Sequence, residues 1–145
     1  MTKIVYSAVT RVEVSTTQFT LMISTPAILT VEDAFLVGLQ LKRDIESLGY
    51  EVLGPVPTVK AALALLDHPN LAFAILDINL GEGDSIAVAK ALQDRGIPFV
   101  FITGYQSVGI AGLEQAEVIR KPASTDQIRN AIINAIPPPT STQIN

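Results

Sequence analysis

Leu71-Ala72-Phe73-Ala74-Ile75-Leu76-Asp77-Ile78-Asn79-Leu80 is the stretch that decides how this chain folds. Residues 71–76 are apolar without interruption, as expected of a central strand covered on both faces. The run stops at a carboxylate, Asp77, which places a charged group at the carboxyl end of a buried strand.

Working outward, Ala27-Ile28-Leu29-Thr30-Val31 upstream and Ile97 to Ile102 downstream read as further buried strands, with Pro98 tolerable near the start of the second. Between the first two strands, Val37, Leu41, Ile45 and Leu48 form one stripe of an amphipathic helix, and Gly49 stops it. Glu51-Val52-Leu53 reads as a short strand. Val59, Ala62, Leu63 and Leu66 mark a second helix that ends near Asp67-His68-Pro69-Asn70. A third helix starts at Asp84 or Ser85, either of which can cap it, and closes at Gly96. Val118-Ile119 is short but strand-like. Ser124-Thr125-Asp126-Gln127 resembles a capping box, and Ile128, Ile132 and Ala135 supply the buried face of the helix it opens. The segment from Gly104 to Gln115 breaks the pattern: Gly104, Gly109 and Gly112 each cost a helix about 0.8–1 kcal/mol relative to Ala, which predicts a short or mobile helix there.

Alternating strands and helices predict an α/β fold, a doubly wound five-stranded parallel sheet with helices on both faces, over residues 27–136. Residues 1–26 stand apart, rich in Ser and Thr and ending at Pro26. Val12 and Val14, then Phe19, Leu21 and Ile23, alternate as a strand would. They read either as a strand added to the domain edge or as a leader outside the fold, with Met22 as the natural start. Pro137-Pro138-Pro139 stops any helix and opens a polar tail over 137–145, too short for a DNA-binding helical module.

Composition excludes several classes of function. The chain has 145 residues, 48% apolar and 17% charged, enough for one sizeable core and incompatible with a largely disordered polypeptide. No run reaches the roughly 18 uncharged apolar residues of a membrane span. Without cysteine there is no disulfide framework, thiolate zinc site or thiol nucleophile, and His68 alone cannot furnish a histidine-rich metal centre. A net charge of −4 supplies no basic surface for nucleic acid. Nothing at the amino terminus reads as a secretory signal, so a cytoplasmic location is expected.

Sites in doubly wound sheets lie at the carboxyl ends of the strands, beside the switch point. There the sequence places Glu32-Asp33 after the first strand, Asp77 after the third, Thr103 after the fourth and Lys121-Pro122 after the fifth. Each has a plainer reading: a helix N-terminus for Glu32-Asp33, a cap or turn for Asp77, a turn for Thr103, a solvated loop charge for Lys121. Together they bring three carboxylates, a hydroxyl and an ammonium to one rim. Three acids so placed repel unless a cation lies among them, and all-oxygen ligands suit a hard ion such as Mg²⁺.

The ordered set Glu32-Asp33, Asp77, Thr103, Lys121-Pro122, with Ile75-Leu76-Asp77-Ile78-Asn79-Leu80 at its centre, resembles the receiver domain of two-component response regulators over about residues 27–136. Phe99-Val100-Phe101-Ile102-Thr103-Gly104-Tyr105 further resembles a group of stand-alone regulators with a Phe-x-Phe-x-Thr-Gly-Tyr stretch, a group associated with sensor histidine kinases of the HWE type. The resemblance implies a flavodoxin-like sheet of strand order 2-1-3-4-5. It makes Asp77 the phospho-acceptor in a Mg²⁺-dependent phosphorelay. Asp33 would bind Mg²⁺ directly, Glu32 through water and Asn79 through its main-chain carbonyl, while Thr103 and Lys121 would contact the phosphoryl oxygens. It also implies a switch rather than an enzyme, with output through protein contacts.

Two departures stand out. Where the family usually has a switch aromatic, this chain has Val118, so Tyr105 is expected to move with Thr103 in its place. Gly81-Glu82-Gly83-Asp84-Ser85 replaces the commoner Pro-x-Met-Asp-Gly loop. The alternative function is a degenerate, unphosphorylated receiver acting as an adaptor. A phosphatase on a similar sheet lacks its Asp-x-Asp-x-Thr signature, since Asn79 follows Asp77, and no phosphate-cradling Gly-rich loop is present.

Overall fold

The apolar runs become the middle of a parallel sheet, and their residues divide by parity between two layers of helix. The computed structural model describes residues 3–6, 11–14, 25–81, 83–104 and 110–136. In chain order the elements are β1 (Lys3–Tyr6), β2 (Arg11–Val14), β3 (Ala27–Val31), α1 (Phe35–Ser47), β4 (Glu51–Val56) and α2 (Val59–Leu63). There follow β5 (Leu71–Asp77), β6 (Asn79–Leu80), β7 (Gly83–Asp84), α3 (Ile86–Asp94), β8 (Phe99–Thr103), β9 (Glu117–Arg120) and α4 (Thr125–Ala135). Among the described residues no helix is long and apolar enough to cross a membrane.

Five strands pair in parallel in the order β4-β3-β5-β8-β9. Numbered as the strands of this sheet alone, that is the expected order 2-1-3-4-5. β3 pairs with both β4 and β5, so the chain reverses its direction of travel across the sheet there. The loops after β3 and β5 flank that switch point.

Side chains alternate across a strand, and each strand feeds both layers. Leu29, Val31, Ala74, Leu76 and Phe101 meet Ala62 and Leu66 of the α2 region and Val88, Ala89 and Leu92 of α3. Ile28, Phe73, Ile75, Val100 and Ile102 meet Ile45 of α1 and Ile128, Ala131 and Ile132 of α4. Fully burying one such Leu, Ile or Phe contributes about 1.5–3 kcal/mol. Phe99 and Phe101 share one face of β8, their rings edge to face with centroids 5.5 Å apart. The two Phe of the Phe-x-Phe stretch therefore face the α3 layer, with Phe101 buried in its core and Phe99 packed against it.

The helix ends follow the expected chemistry. Gly49 and Gly96 take positive φ, 95° and 68°, just beyond α1 and α3. The capping box of α4 is complete: Gln127 N–H donates to Ser124 Oγ at 3.1 Å, and Ser124 N–H donates to Gln127 Oε1 at 2.9 Å. Gly38, buried in α1, allows a close approach to β4. A Cβ added there would lie 2.8 Å from Pro55 Cβ and 3.5 Å from Glu32 Cγ.

Several local expectations are corrected. Val37 is exposed rather than part of the buried stripe of α1, because it borders an open cleft lined also by Pro122 and Ala123; Leu41 and Leu48 do pack on the core. β4 runs on to Val56, through a cis Gly54–Pro55 peptide. α2 is a short helix whose next turn, carrying buried Leu66, is not α-helical, and Leu63 is exposed. In α4, Ala131 takes the core position expected of Ala135, which is exposed. The short helix expected between Gly104 and Gln115 falls partly on residues 105–109, which lie outside the described residues; residues 110–116 hold turns. β1 and β2 pair antiparallel with each other, while the alternating Phe19, Leu21 and Ile23 lie outside the described residues. The tail over 137–145 lies outside the described residues.

Candidate functional site

The carboxyl ends of β3 and β5 are adjacent, Val31 lying opposite Leu76, so Glu32-Asp33 and Asp77 emerge side by side. One carboxylate oxygen from each of Glu32, Asp33 and Asp77 lies within 4.8 Å of the other two. Three anionic oxygen donors at that separation, two of them from buried side chains, fit a hard divalent cation.

Lys121 completes the arrangement from the far side of the sheet. β8 pairs with β9, and Lys121 N–H donates to Thr103 O at 2.8 Å, which continues the ladder past the last strand residue. The side chain then reaches back over the rim. Its Nζ donates to Glu32 Oε2 at 2.9 Å and to Asp77 Oδ2 at 3.0 Å. Side-chain exposure falls from 26% at Lys121 to 7% at Asp77 and 3% at Glu32, so the ammonium shields two nearly dry carboxylates. The Lys121–Pro122 peptide is cis. Thr103 is buried at the end of β8, one residue beyond Ile102, which pairs with Asp77.

The titration behaviour of the pair follows from burial set against hydrogen bonding. Burial pushes the Glu32 carboxyl above its ordinary value and the Asp77 charge adds to this. The Lys121 and Ala34 hydrogen bonds oppose the rise without cancelling it. Burial by itself would lower Lys121; its bonds to Glu32 and Asp77 outweigh that and hold the ammonium above its ordinary value.

Main-chain amides fix the remaining oxygens. Ala34 N–H donates to Glu32 Oε1 at 3.1 Å, Asn79 N–H to Asp77 Oδ1 at 3.2 Å and Gly81 N–H to Asp33 Oδ2 at 2.9 Å. Asn79 and Gly81 belong to a small hairpin of β6 and β7 that follows β5. Thus Glu32, Asp33, Asp77, Asn79, Thr103 and Lys121 are all brought to one rim. Tyr105 lies outside the described residues, and Val118 is exposed on β9. Two groups at the site were not expected as such: the Gly81 amide and Ser85, whose hydroxyl donates to Asp77 O at 2.6 Å. Ser85 carries a helix-cap signal in the sequence, and nothing there distinguishes this second use.

Beside the rim, a cleft of about 530 Å³ runs between α1 and the β9–α4 loop, lined among others by Leu36, Val37, Leu41, Pro122 and Ala123. Phe35 and Leu36, on the first turn of α1, are 73% and 76% exposed.

The model of the response regulator receiver domain matches residues 28–133. The photosynthetic apparatus regulatory protein RegA of Rhodobacter capsulatus is 31% identical over 78% of this chain and 66% of its own length. The phyllosphere-induced regulator PhyR of Methylorubrum extorquens is 32% identical over 75% of this chain, which spans only 43% of that relative. The solution structure of SdrG from Sphingomonas melonis Fr1 superposes with a TM-score of 0.64 at 39% identity, over 74% of this chain and 92% of that one. The matched span starts within β3 and ends within α4, enclosing every residue of the acidic rim and the lysine that bridges it; this chain belongs to the response regulator receiver domain family.

Proposed function

We propose that the chain is a phospho-acceptor switch of a two-component system, in which Asp77 takes a phosphoryl group from the phosphohistidine of a sensor kinase. The observation that carries this reading is the double bond of Lys121 Nζ to Glu32 and Asp77, with Asp33 inside the same cluster. An Asp77 carboxylate oxygen attacks phosphorus, the N–P bond breaks, and the imidazole leaves and recovers a proton from solvent. The product is an acyl phosphate, easily hydrolysed and so suited to a transient signal.

Charge on the three equatorial oxygens of the loose transition state must be offset by groups already in place. Lys121 is held there by its two carboxylate partners, and Thr103 brings a hydroxyl from the neighbouring strand. Asp33 and Asp77, the Asn79 main-chain carbonyl and, through water, Glu32 are the residues that would hold Mg²⁺. Bound there, the ion would neutralise charge between acceptor and phosphoryl group. Thr103 is proposed to turn toward the phosphoryl group and Tyr105 to move with it, since Val118 supplies no aromatic.

The resemblance of residues 99–105 to the Phe-x-Phe-x-Thr-Gly-Tyr regulators supports a kinase of the HWE type as donor. SdrG is known in a BeF₃-activated conformation, which supports an activatable acceptor here as well. Exposed Phe35 and Leu36, beside the rim, offer the donor an apolar foothold. The chain itself acts as a switch, with output through protein contacts. Incubation with acetyl phosphate and Mg²⁺ tests the reading: the intact mass rises by one phosphoryl group in the parent protein and stays unchanged in Asp77→Asn. A gain that persists in Asp77→Asn removes Asp77 from this role.

A further inference from the structure

Ser85 precedes α3 and is completely buried, yet its side chain makes no capping bond to that helix. Asp84 does so instead, its Oδ1 accepting Ile86 N–H at 3.1 Å. The Ser85 hydroxyl turns back to the strand and donates to the Asp77 main-chain oxygen at 2.6 Å, while Ser85 N–H donates to Ile78 O at 3.1 Å. From the opposite direction, Ile78 N–H donates to Ile102 O of β8 at 3.3 Å. The peptide unit joining Asp77 to Ile78 is therefore gripped at both ends, its oxygen by Ser85 and its N–H by Ile102. The Asp77 side chain and the Asn79 main chain both hang from that unit, and Asn79 N–H returns to Asp77 Oδ1.

The loop between these points carries Gly81 and Gly83, whose backbones add little restraint of their own. We propose that Ser85 is a positioning residue: its hydroxyl locks the Asp77–Ile78 peptide and thereby aims the Asp77 carboxylate and the Asn79 carbonyl into the acidic rim. This rests on the acceptor reading above and adds a residue whose sequence signal is only that of a helix cap. A buried carbonyl stripped of its donor seeks another partner, and rotating the peptide to find one swings both ligand groups.

The test compares the parent protein, Ser85→Ala and Ser124→Ala. The last weakens the α4 cap, remote from Asp77 in its bonding, and serves as the stability control. Mg²⁺ affinity is read by calorimetry, acetyl phosphate labelling at saturating Mg²⁺ by intact mass, and the Asp77 carbonyl by its ¹³C shift. Ser85→Ala is expected to weaken Mg²⁺ binding and to slow labelling, each by about two- to tenfold, and to move the Asp77 carbonyl shift toward that of an unbonded carbonyl. Ser124→Ala leaves all three unchanged. A folded Ser85→Ala protein with parental Mg²⁺ affinity and labelling rate overturns the proposal. Should that variant not fold, Ser85→Cys, nearly isosteric but a weaker donor, is read in the same way. If the parent protein takes no phosphate, the acceptor reading falls, and the Mg²⁺ titration alone decides the role of Ser85, parental affinity in the variant again overturning it.

Discussion

α1 and α4 lie on the same face of the sheet and begin in opposite ways. α4 opens on a complete capping box, with Asp126 in its first turn to complement the helix dipole. α1 opens on Ala34, which offers no side-chain cap, and has no acidic residue in its first turn. The two acids that precede α1 are engaged elsewhere. Glu32 divides its oxygens between Ala34 N–H and Lys121, and Asp33 binds Gly81 N–H of the small hairpin. A missing cap costs about 1 kcal/mol. The start of α1 forgoes that stabilisation and exposes Phe35 and Leu36, so that its leading acids can serve the rim; the start of α4 bears no such demand and is built for stability.

Variants on either side of this contrast should behave differently. The largest effect is expected at α1. Phe35→Ser combined with Leu36→Ser should slow transfer from the cognate kinase by about tenfold or more while leaving acetyl phosphate labelling intact. Equal slowing with both donors would mean that the substitutions disturb the rim itself. At α4, Ser124→Ala should lower unfolding free energy by about 1 kcal/mol in urea melts and leave labelling alone, and a labelling defect there would erase the division of labour.

The smallest effect concerns Glu32. Its folded value is raised above the ordinary 4.5, so the folded state holds this proton more tightly than the unfolded chain does. Its contribution to stability is therefore fully present below about 4.5 and is lost as pH rises through the raised folded value. Lys121, also raised, contributes constantly until pH exceeds its ordinary 10.5. Unfolding free energies measured without Mg²⁺ across the mildly acidic range should thus fall with rising pH more steeply in the parent than in Glu32→Gln. Parallel curves for the two proteins would contradict the raised value.

Much of the fold was legible because buried strands need uninterrupted apolar residues and amphipathic helices need periodic ones. The runs 27–31, 71–76 and 97–102 led directly to β3, β5 and β8, and Ser124 with Gln127 to the box that opens α4. The rim was legible as well, since topology alone brings strand ends together once their order is known. Periodicity misled where a helix borders an open cleft: Val37 and Ala135 keep the right spacing, but each lines a cleft open to solvent and stays exposed. α2 stops at Leu63 and the turns after it still carry Leu66 into the core, a break that the apolar spacing does not reveal. Ser85 was readable only as a cap, because a hydroxyl beside a helix start serves that purpose locally, and its longer reach to Asp77 depends on how α3 is seated against β5. Likewise the Gly81 amide has no side chain through which a sequence could advertise it.

The tight seat of Gly38 against Pro55 acts as a shim without thickness, setting the gap between helix and sheet. A methyl group placed there would have to lever α1 away from β4, and the nearby Glu32 would swing with it. The tolerance of the whole acidic pocket is therefore machined at a position that touches no ion and bears no charge.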